Sequence, residues 1–206
     1  MSAKNHFYRP SEGHDLAHNP FNSIVAPRPI GWISTRGLNG VANLAPYSFF
    51  NAFNYVPPIV GFCSIGYKDS VRNSEETGEF CWNLVTRANA ESMNATSASV
   101  DPEIDEFELV GLTATACTDI NVPRVAESPV AFECRVTQII QLNAANQTAL
   151  DTHMVFGEVV AVHIDQSLIV DGMFDTVLAD PLLRGGGPAD YFTISAEGKL
   201  QMHRPT

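Results

Sequence analysis

A mainly antiparallel β fold, a barrel or sandwich with peripheral helices, is the class that the sequence predicts. Three observations carry this. Short β-rich segments recur along the chain between clusters of Gly, Pro and Asn. No regular strand–helix–strand alternation of the kind that builds a parallel sheet is present. The second half holds two long β-branched runs, 129–142 and 154–164. At 206 residues the chain is expected to form one domain, 21–206, preceded by a polar arm, 1–20.

From Phe21 the elements follow in order. Ile24–Ser34 reads as a strand interrupted by Pro27 and Pro29, because proline cannot donate to a ladder. Arg36–Gly40 reads as a turn, Val41–Phe50 as a second extended stretch and Ile59–Tyr67 as a buried strand. The period then changes. Asp69–Gly78 predicts a short helix with Asp69 or Ser70 as N-cap and Gly78 at its end. Glu79–Thr86 reads as a strand, Ala88–Ser99 as a helix, and Asp101–Val110 as containing another short helix. Pro129–Leu142 and Met154–Ile164 are strands, and Tyr191–Ile194 is a last short one.

Twelve Lys and Arg against 23 Asp and Glu give a formal charge of −11. That balance argues against sequence-independent nucleic-acid binding, which needs many cations to displace counterions. It argues equally against an anionic membrane surface. No segment approaches the roughly eighteen uninterrupted apolar residues of a membrane span, and the N-terminus lacks the apolar core of a signal peptide. Cys63, Cys81, Cys117 and Cys134 lie apart with no C-x-x-C and read as buried thiols in a reducing compartment, with the cytoplasm as the expected location. His6, His14 and His18 have spacings that suit no common metal-ligand set, and read as solvated histidines.

The common dinucleotide, P-loop, nucleophile-elbow and zinc-protease signatures are absent. Two stretches remain. Lys68-Asp69-Ser70-x-x-Asn73 follows a predicted strand at a predicted helix start. A point charge, a hydroxyl, an amide and unpaired helical N–H groups together suit a phosphate; the same residues also suit a plain helix start with a solvated lysine. Asn43–Asn51 mixes small residues, Pro46, aromatics and polar Asn43, Ser48 and Asn51. That mixture suits a flat heteroaromatic ring, or a core strand with a proline bulge. Gly185-Gly186-Gly187 reads either as a tight turn or as a loop where backbone approaches a ligand. His163 alternates with valines and reads as structural.

These stretches, taken in order, resemble a known family. Asn19-Pro20, Ala26–Thr35, Gly40–Asn51, Lys68-Asp69-Ser70-x-x-Asn73 and Phe80-x-x-Asn83 are similar to the flavin reductase-like, FMN-binding split-barrel family, on its flavoredoxin side. His153-x-x-x-Gly157-Glu158 and Arg184-Gly185-Gly186-Gly187-x-x-x-Tyr191 resemble that family's later motifs. The resemblance spans about Asn19 to Tyr191 and implies a Greek-key split barrel, FMN as cofactor and a homodimer. It places Ser34 and Thr35 beside the flavin or its chain. Asn43, Ala45, Pro46 and Ser48 fall against the ring and ribityl, and Ser64, Lys68, Ser70 and Asn73 around the phosphate. Asn51 and Asn83 become polar supports. His153 and Arg184 line the open face where a nicotinamide docks, with Tyr191 closing it. Phe156-Gly157-Glu158 stands where close relatives carry Gly-Asp-His. The implied activity is an NAD(P)H-dependent flavin oxidoreductase. An FMN-binding electron carrier, fed by a partner protein, is the alternative that this departure keeps open.

Overall fold

The computed structural model describes residues 5–205. A short helical turn, α1 (Phe21–Ile24), opens the ordered body and leads into β1 (Arg28–Pro29) and β2 (Gly31–Arg36). The hairpin partner is β3 (Ala42–Tyr47), followed by β4 (Phe50–Tyr55) and β5 (Pro58–Ile65). Helix α2 (Asp69–Thr77) comes next, then β6 (Glu79–Asn83), α3 (Ala90–Ala95) and α4 (Glu106–Val110). The small strands β7 (Ala114–Ala116) and β8 (Pro123–Val125) precede the two longest, β9 (Val130–Asn143) and β10 (Ala149–Ile164). Short pairs finish the chain: β11 (Ile169–Val170), β12 (Met173–Phe174), β13 (Leu183–Arg184) and β14 (Tyr191–Phe192).

Seven strands form one antiparallel sheet in the order β3-β2-β6-β9-β10-β5-β4. Its two edge strands, β3 and β4, are joined through Ser48 and Phe49 alone. So short a link between opposite edges forces the sheet to curl on itself. Because β3 and β4 exchange no ladder bonds, the barrel stays open along that seam. The alternation of side chains across β2 fills two layers. Ile33 joins Phe62, Val71, Phe80, Cys134 and Val155 inside the barrel. Trp32 joins Leu44, Val85, Met93, Phe107 and Val125 under α3 and α4. Each large side chain removed from water in this way contributes roughly 1.5–3 kcal/mol.

β9 and β10 bend where their register shifts, including between Phe156 and Gly157. Gly157 sits there for want of space. A Cβ on it would lie 2.6 Å from Cζ of Phe80 and 3.0 Å from Cβ of Cys134, both buried. Gly157→Ala is expected to lower stability by about 1–3 kcal/mol through overpacking, read as a lower urea midpoint at unchanged slope. An unchanged midpoint would show that the Phe80 ring moves aside freely.

Several expectations need correction. Ile24 ends a helical turn and the strand begins only at Arg28, since Pro27 and Pro29 restrict pairing. The stretch 41–50 is not one strand: the chain crosses the seam at Ser48-Phe49 and continues as β4, which the sequence reading left out. The N-cap position of α2 is Lys68, not Asp69 or Ser70, and no side chain caps the helix; Gly78 ends it at φ 72°, as expected. The helix expected over 88–99 is α-helical only from Ala90 to Ala95. The Thr96 hydroxyl donates to Met93 O and accepts from Trp32 Nε1, which fixes the chain at the point where the helix stops. The four cysteines are free thiols, Cys81 and Cys134 buried and Cys63 and Cys117 half-buried. Burial pushes the Cys81 and Cys134 thiols well up, which makes both poor nucleophiles at neutral pH.

Candidate functional site

A cleft of about 420 Å³ opens between β3, the β5–α2 junction and the segment from Thr96 to Glu106. Its floor follows from strand alternation. Asn43 pairs with Thr35, and Ala45 with Ile33, so Asn43, Ala45 and Tyr47 share the face that α2 covers. Asn43 Nδ2 donates to Thr35 Oγ1 at 3.2 Å and to Ser70 Oγ at 2.9 Å. Asn73 Nδ2 donates to the same Thr35 Oγ1 at 3.1 Å. This buried network locks the first turn of α2 against β3 and fixes where the Ser70 hydroxyl stands.

Above it lies the start of α2. The chain turns at Gly66, whose φ of +91° favours glycine, and enters the helix at Lys68. The leading N–H groups of a helix have no intrahelical partner, and here no side chain supplies one. Lys68 is exposed and lines the cleft with Ser70 and Arg72. Asp69 does not stand there as a bare anion: its Oδ1 is 2.6 Å from Arg72 Nη1. The i,i+3 pair offsets the carboxylate, and the helix dipole favours it in the first turn.

The rim carries further polar groups. Glu106 is buried and its Oε2 accepts from Leu44 N at 3.0 Å. Burial pushes its carboxyl up, against the pull of that hydrogen bond, and Asp69 and Asp105 push the same way. Burial likewise raises the Tyr47 hydroxyl, against hydrogen bonding with Ser70 and Ser64. His153 pairs with Ser64 in the ladder, and its ring stands edge-on to Tyr67, which lines the cleft, at 5.3 Å. His153 Nδ1 is buried with no partner among the described residues. An orphaned ring nitrogen at a cleft edge is a group waiting for an external donor or acceptor.

The expected site residues therefore divide. Asn43, Ala45, Pro46, Lys68 and Ser70 line the cleft. Thr35 and Asn73 lie directly beneath it, and Ser64 and His153 stand beside Tyr67 at its edge. Ser34 lies on the opposite face of β2, where its hydroxyl donates to Pro123 O at 2.6 Å. Asn83 donates to Trp32 O and Ser34 Oγ and accepts from Val125 N, so its side chain is fully engaged in the core. Asn51 is exposed on β4, its Oδ1 taken by Ala52 N. Ser48 lies on the seam, where its carbonyl accepts from Arg28 Nε.

Arg184 is absent from the cleft wall. Its guanidinium donates to carbonyls of Gly186, Gly187, Pro188 and Asp190 and stands 5.0 Å over the Tyr191 ring. It shapes the Gly185–Asp190 loop. The triple glycine is a tight turn wrapped on that arginine, with Gly187 at φ 61°. The buried Arg28, paired with Arg184 in the ladder, ties the carbonyls of Asn22, Ser48 and Gly185 together.

Arg72, Tyr67, Glu106 and the 96–102 segment are site components that the sequence reading missed. Arg72 had a readable signal, its i,i+3 spacing from Asp69. Glu106 had none, since it reaches Leu44 across 62 residues of chain.

Known proteins of similar sequence and shape agree with this architecture. The profile of the flavin reductase like domain matches residues 24–177. An uncharacterised protein of Halalkalibacterium halodurans is 36% identical over 170 residues, covering 79% of this chain and 80% of its own length. The crystal structure of nitrilotriacetate monooxygenase component B from Bacillus cereus superposes with a TM-score of 0.87 at 27% identity, over 97% of this chain and all of that one. The 2-nitrobenzoate 2-nitroreductase of Pseudomonas fluorescens superposes with a TM-score of 0.78 at 32% identity, over 90% and 89% of the two chains. An open antiparallel barrel with a polar-floored cleft at the start of α2, together with a profile match across three quarters of its length, places this chain in the flavin reductase-like split-barrel family.

Proposed function

We propose that the protein is an FMN-binding oxidoreductase that takes reducing equivalents from NAD(P)H and delivers them to an acceptor. One observation carries the reading. Lys68, Arg72, Ser70 and the uncapped start of α2 line one cleft together with Ala45, Pro46 and Tyr47. Cations and helical N–H groups suit a phosphate dianion; small and aromatic residues suit a flat ring. The uncapped helix start and the orphaned His153 Nδ1 are the fit that such a ligand would complete.

When bound, a flavin supplies the electron chemistry. This chain's residues supply position and field. Lys68 and Arg72 offset the phosphate charge, Ser70 donates to a phosphate oxygen, and the Thr35–Asn43–Asn73 network keeps Ser70 in place. Main-chain groups of Ala45–Tyr47 present fixed dipoles to the ring edge, which need no reorganisation during reaction. His153, beside Tyr67, orients whatever docks on the open side.

β4 supports a homodimer. Phe53 and Tyr55 on this edge strand and Val56 in the turn after it are 52%, 89% and 79% exposed, an apolar surface that a second copy would cover. The reading further includes one domain with an N-terminal arm, of which residues 1–4 lie outside the described residues, and a cytoplasmic location. Among the described residues no helix is long and apolar enough to cross a membrane.

A second reading, an electron carrier without direct nicotinamide use, is favoured by one feature. Arg184, the cation expected on the donor face, is engaged by its own loop. The test is anaerobic mixing of FMN-loaded protein with NADH or NADPH. Rapid bleaching of the flavin absorbance is expected. Bleaching by dithionite but by neither nicotinamide would contradict the enzyme and support the carrier. A protein that purifies colourless and does not quench added FMN would contradict both.

A further inference from the structure

A second cavity, of about 530 Å³, lies away from the flavin cleft and shares no lining residue with it. Arg124, Glu127, Ser128, His163 and Asp165 give it a polar lining. Both carboxylates are already occupied. Glu127 accepts from Thr113 N through both oxygens, at 3.0 and 3.2 Å. Asp165 Oδ1 accepts from Ser167 N and Ser167 Oγ. The Ser128 hydroxyl turns to Leu84 O and Val130 O.

Arg124 is not occupied in the same way. Arg124 makes no side-chain hydrogen bond and no ion pair among the described residues, and its Nε is buried without a partner. A buried guanidinium N–H without an acceptor is costly, and its presence at a polar cavity points to an acceptor from outside. His163 is backed by a charge at the root of the cavity. Its Nε2 is 2.5 Å from Oε1 of Glu133, which is completely buried. Glu133 also accepts from Thr118 N and Asp119 N, both at 2.7 Å, so the carboxylate is held in place and fixes the His163 ring by its Nε2. The unpaired donor in this cavity is therefore the Arg124 guanidinium.

We propose that this cavity is a binding site for a phosphate-type oxyanion, with Arg124 as its principal ligand and the His163 ring beside it as a second polar contact. Guanidinium geometry matches two oxygens of a tetrahedral anion. The same chemistry serves free phosphate or the monoester end of a nucleotide.

The test removes the cations of the flavin cleft first, so that phosphate bound there cannot be mistaken for this site. Inorganic phosphate is titrated by calorimetry into K68A/R72A protein and into the same protein carrying R124Q or R124K. Saturable binding to K68A/R72A is expected, with a loss of at least about tenfold on adding R124Q. Arg124→Lys, which keeps the charge and so guards against a folding artefact, is expected to lose at least about threefold because it lacks the fork. No saturable binding to K68A/R72A, or binding unchanged by both Arg124 variants, would overturn the proposal. Adenosine 5′-monophosphate is the second arm: competition assigns the site to monoesters, lack of competition to the free anion, and either supports an oxyanion site.

Discussion

Replacing Lys68 and Arg72 together by alanine is expected to weaken FMN binding by about a hundredfold or more and to leave riboflavin binding within about threefold. The two cations stand at the start of α2 on the wall of one cleft. A charge-assisted hydrogen bond to phosphate contributes roughly 1.5–3 kcal/mol, so losing two removes 3 kcal/mol or more. Riboflavin lacks the phosphate and reports on the ring and ribityl contacts alone. Flavin fluorescence quenching measures both constants. Equal losses for the two ligands would mean that the variant damages the cleft as a whole; no loss for either would remove these side chains from the site. Arg72→Ala alone also releases Asp69, leaving an unpaired carboxylate near the phosphate, so its single effect is expected to exceed that of Lys68→Ala.

The largest effect on stability is expected at Glu133. Its carboxylate is fully buried and serves three donors: Thr118 N, Asp119 N and His163 Nε2. Glu133→Gln turns an amide NH₂ toward one of those donors and removes the carboxylate that holds His163 Nε2. The expected cost is about 3 kcal/mol or more at neutral pH, the scale for breaking one partner of a buried pair. Burial alone would raise the Glu133 carboxyl; hydrogen bonds from His163, Thr118 and Asp119 outweigh it and hold it below the usual carboxylate range. The sign follows. A depressed folded value stabilises the protein fully above the unfolded value, near about 4.3, and that contribution disappears as pH falls through the folded value. Urea melts of wild type and Glu133→Gln should therefore differ most at pH 7 and converge in the acid range. A gap that stays constant down to about pH 3 would show that packing, not ionisation, is what the substitution removes.

Much of the barrel was legible because its strands carry their own signatures. The β-branched runs of β9 and β10, the turn residues around Gly40, and the Gly78 terminator of α2 each act through neighbouring residues. Extents were harder where tertiary contacts decide them. β4 is exposed from Asn51 to Tyr55, so no alternation marks it as a strand; its pairing with β5 does. The last turn of the helix expected to run to Ser99 is lost where Thr96 bonds to Trp32, 64 residues away.

The site shows the same division. Ser70 and Asn73 are three residues apart on α2, so helical spacing alone puts both on the face that meets Thr35 and Asn43. Ser34 and Thr35 are neighbours in sequence, yet strand alternation sends one hydroxyl into the core and the other beneath the cleft. Arg184 is expected on the open face from the family resemblance, and its triple glycine reads either as a tight turn or as a ligand-approaching loop. The structure shows the glycines exposing carbonyls to the arginine itself.

The central claim is that the uncapped start of α2, with Lys68, Ser70 and Arg72, holds the phosphate of FMN while the β3 strip meets the ring. A crystal of the wild-type protein soaked in FMN tests it most directly. The phosphate is expected within hydrogen-bonding distance of the Ser70 hydroxyl and the Lys68 ammonium, with the isoalloxazine against Ala45–Tyr47 and its edge toward His153. Density for the nucleotide at another surface, or in this cleft with the phosphate at the opposite end, would contradict the account.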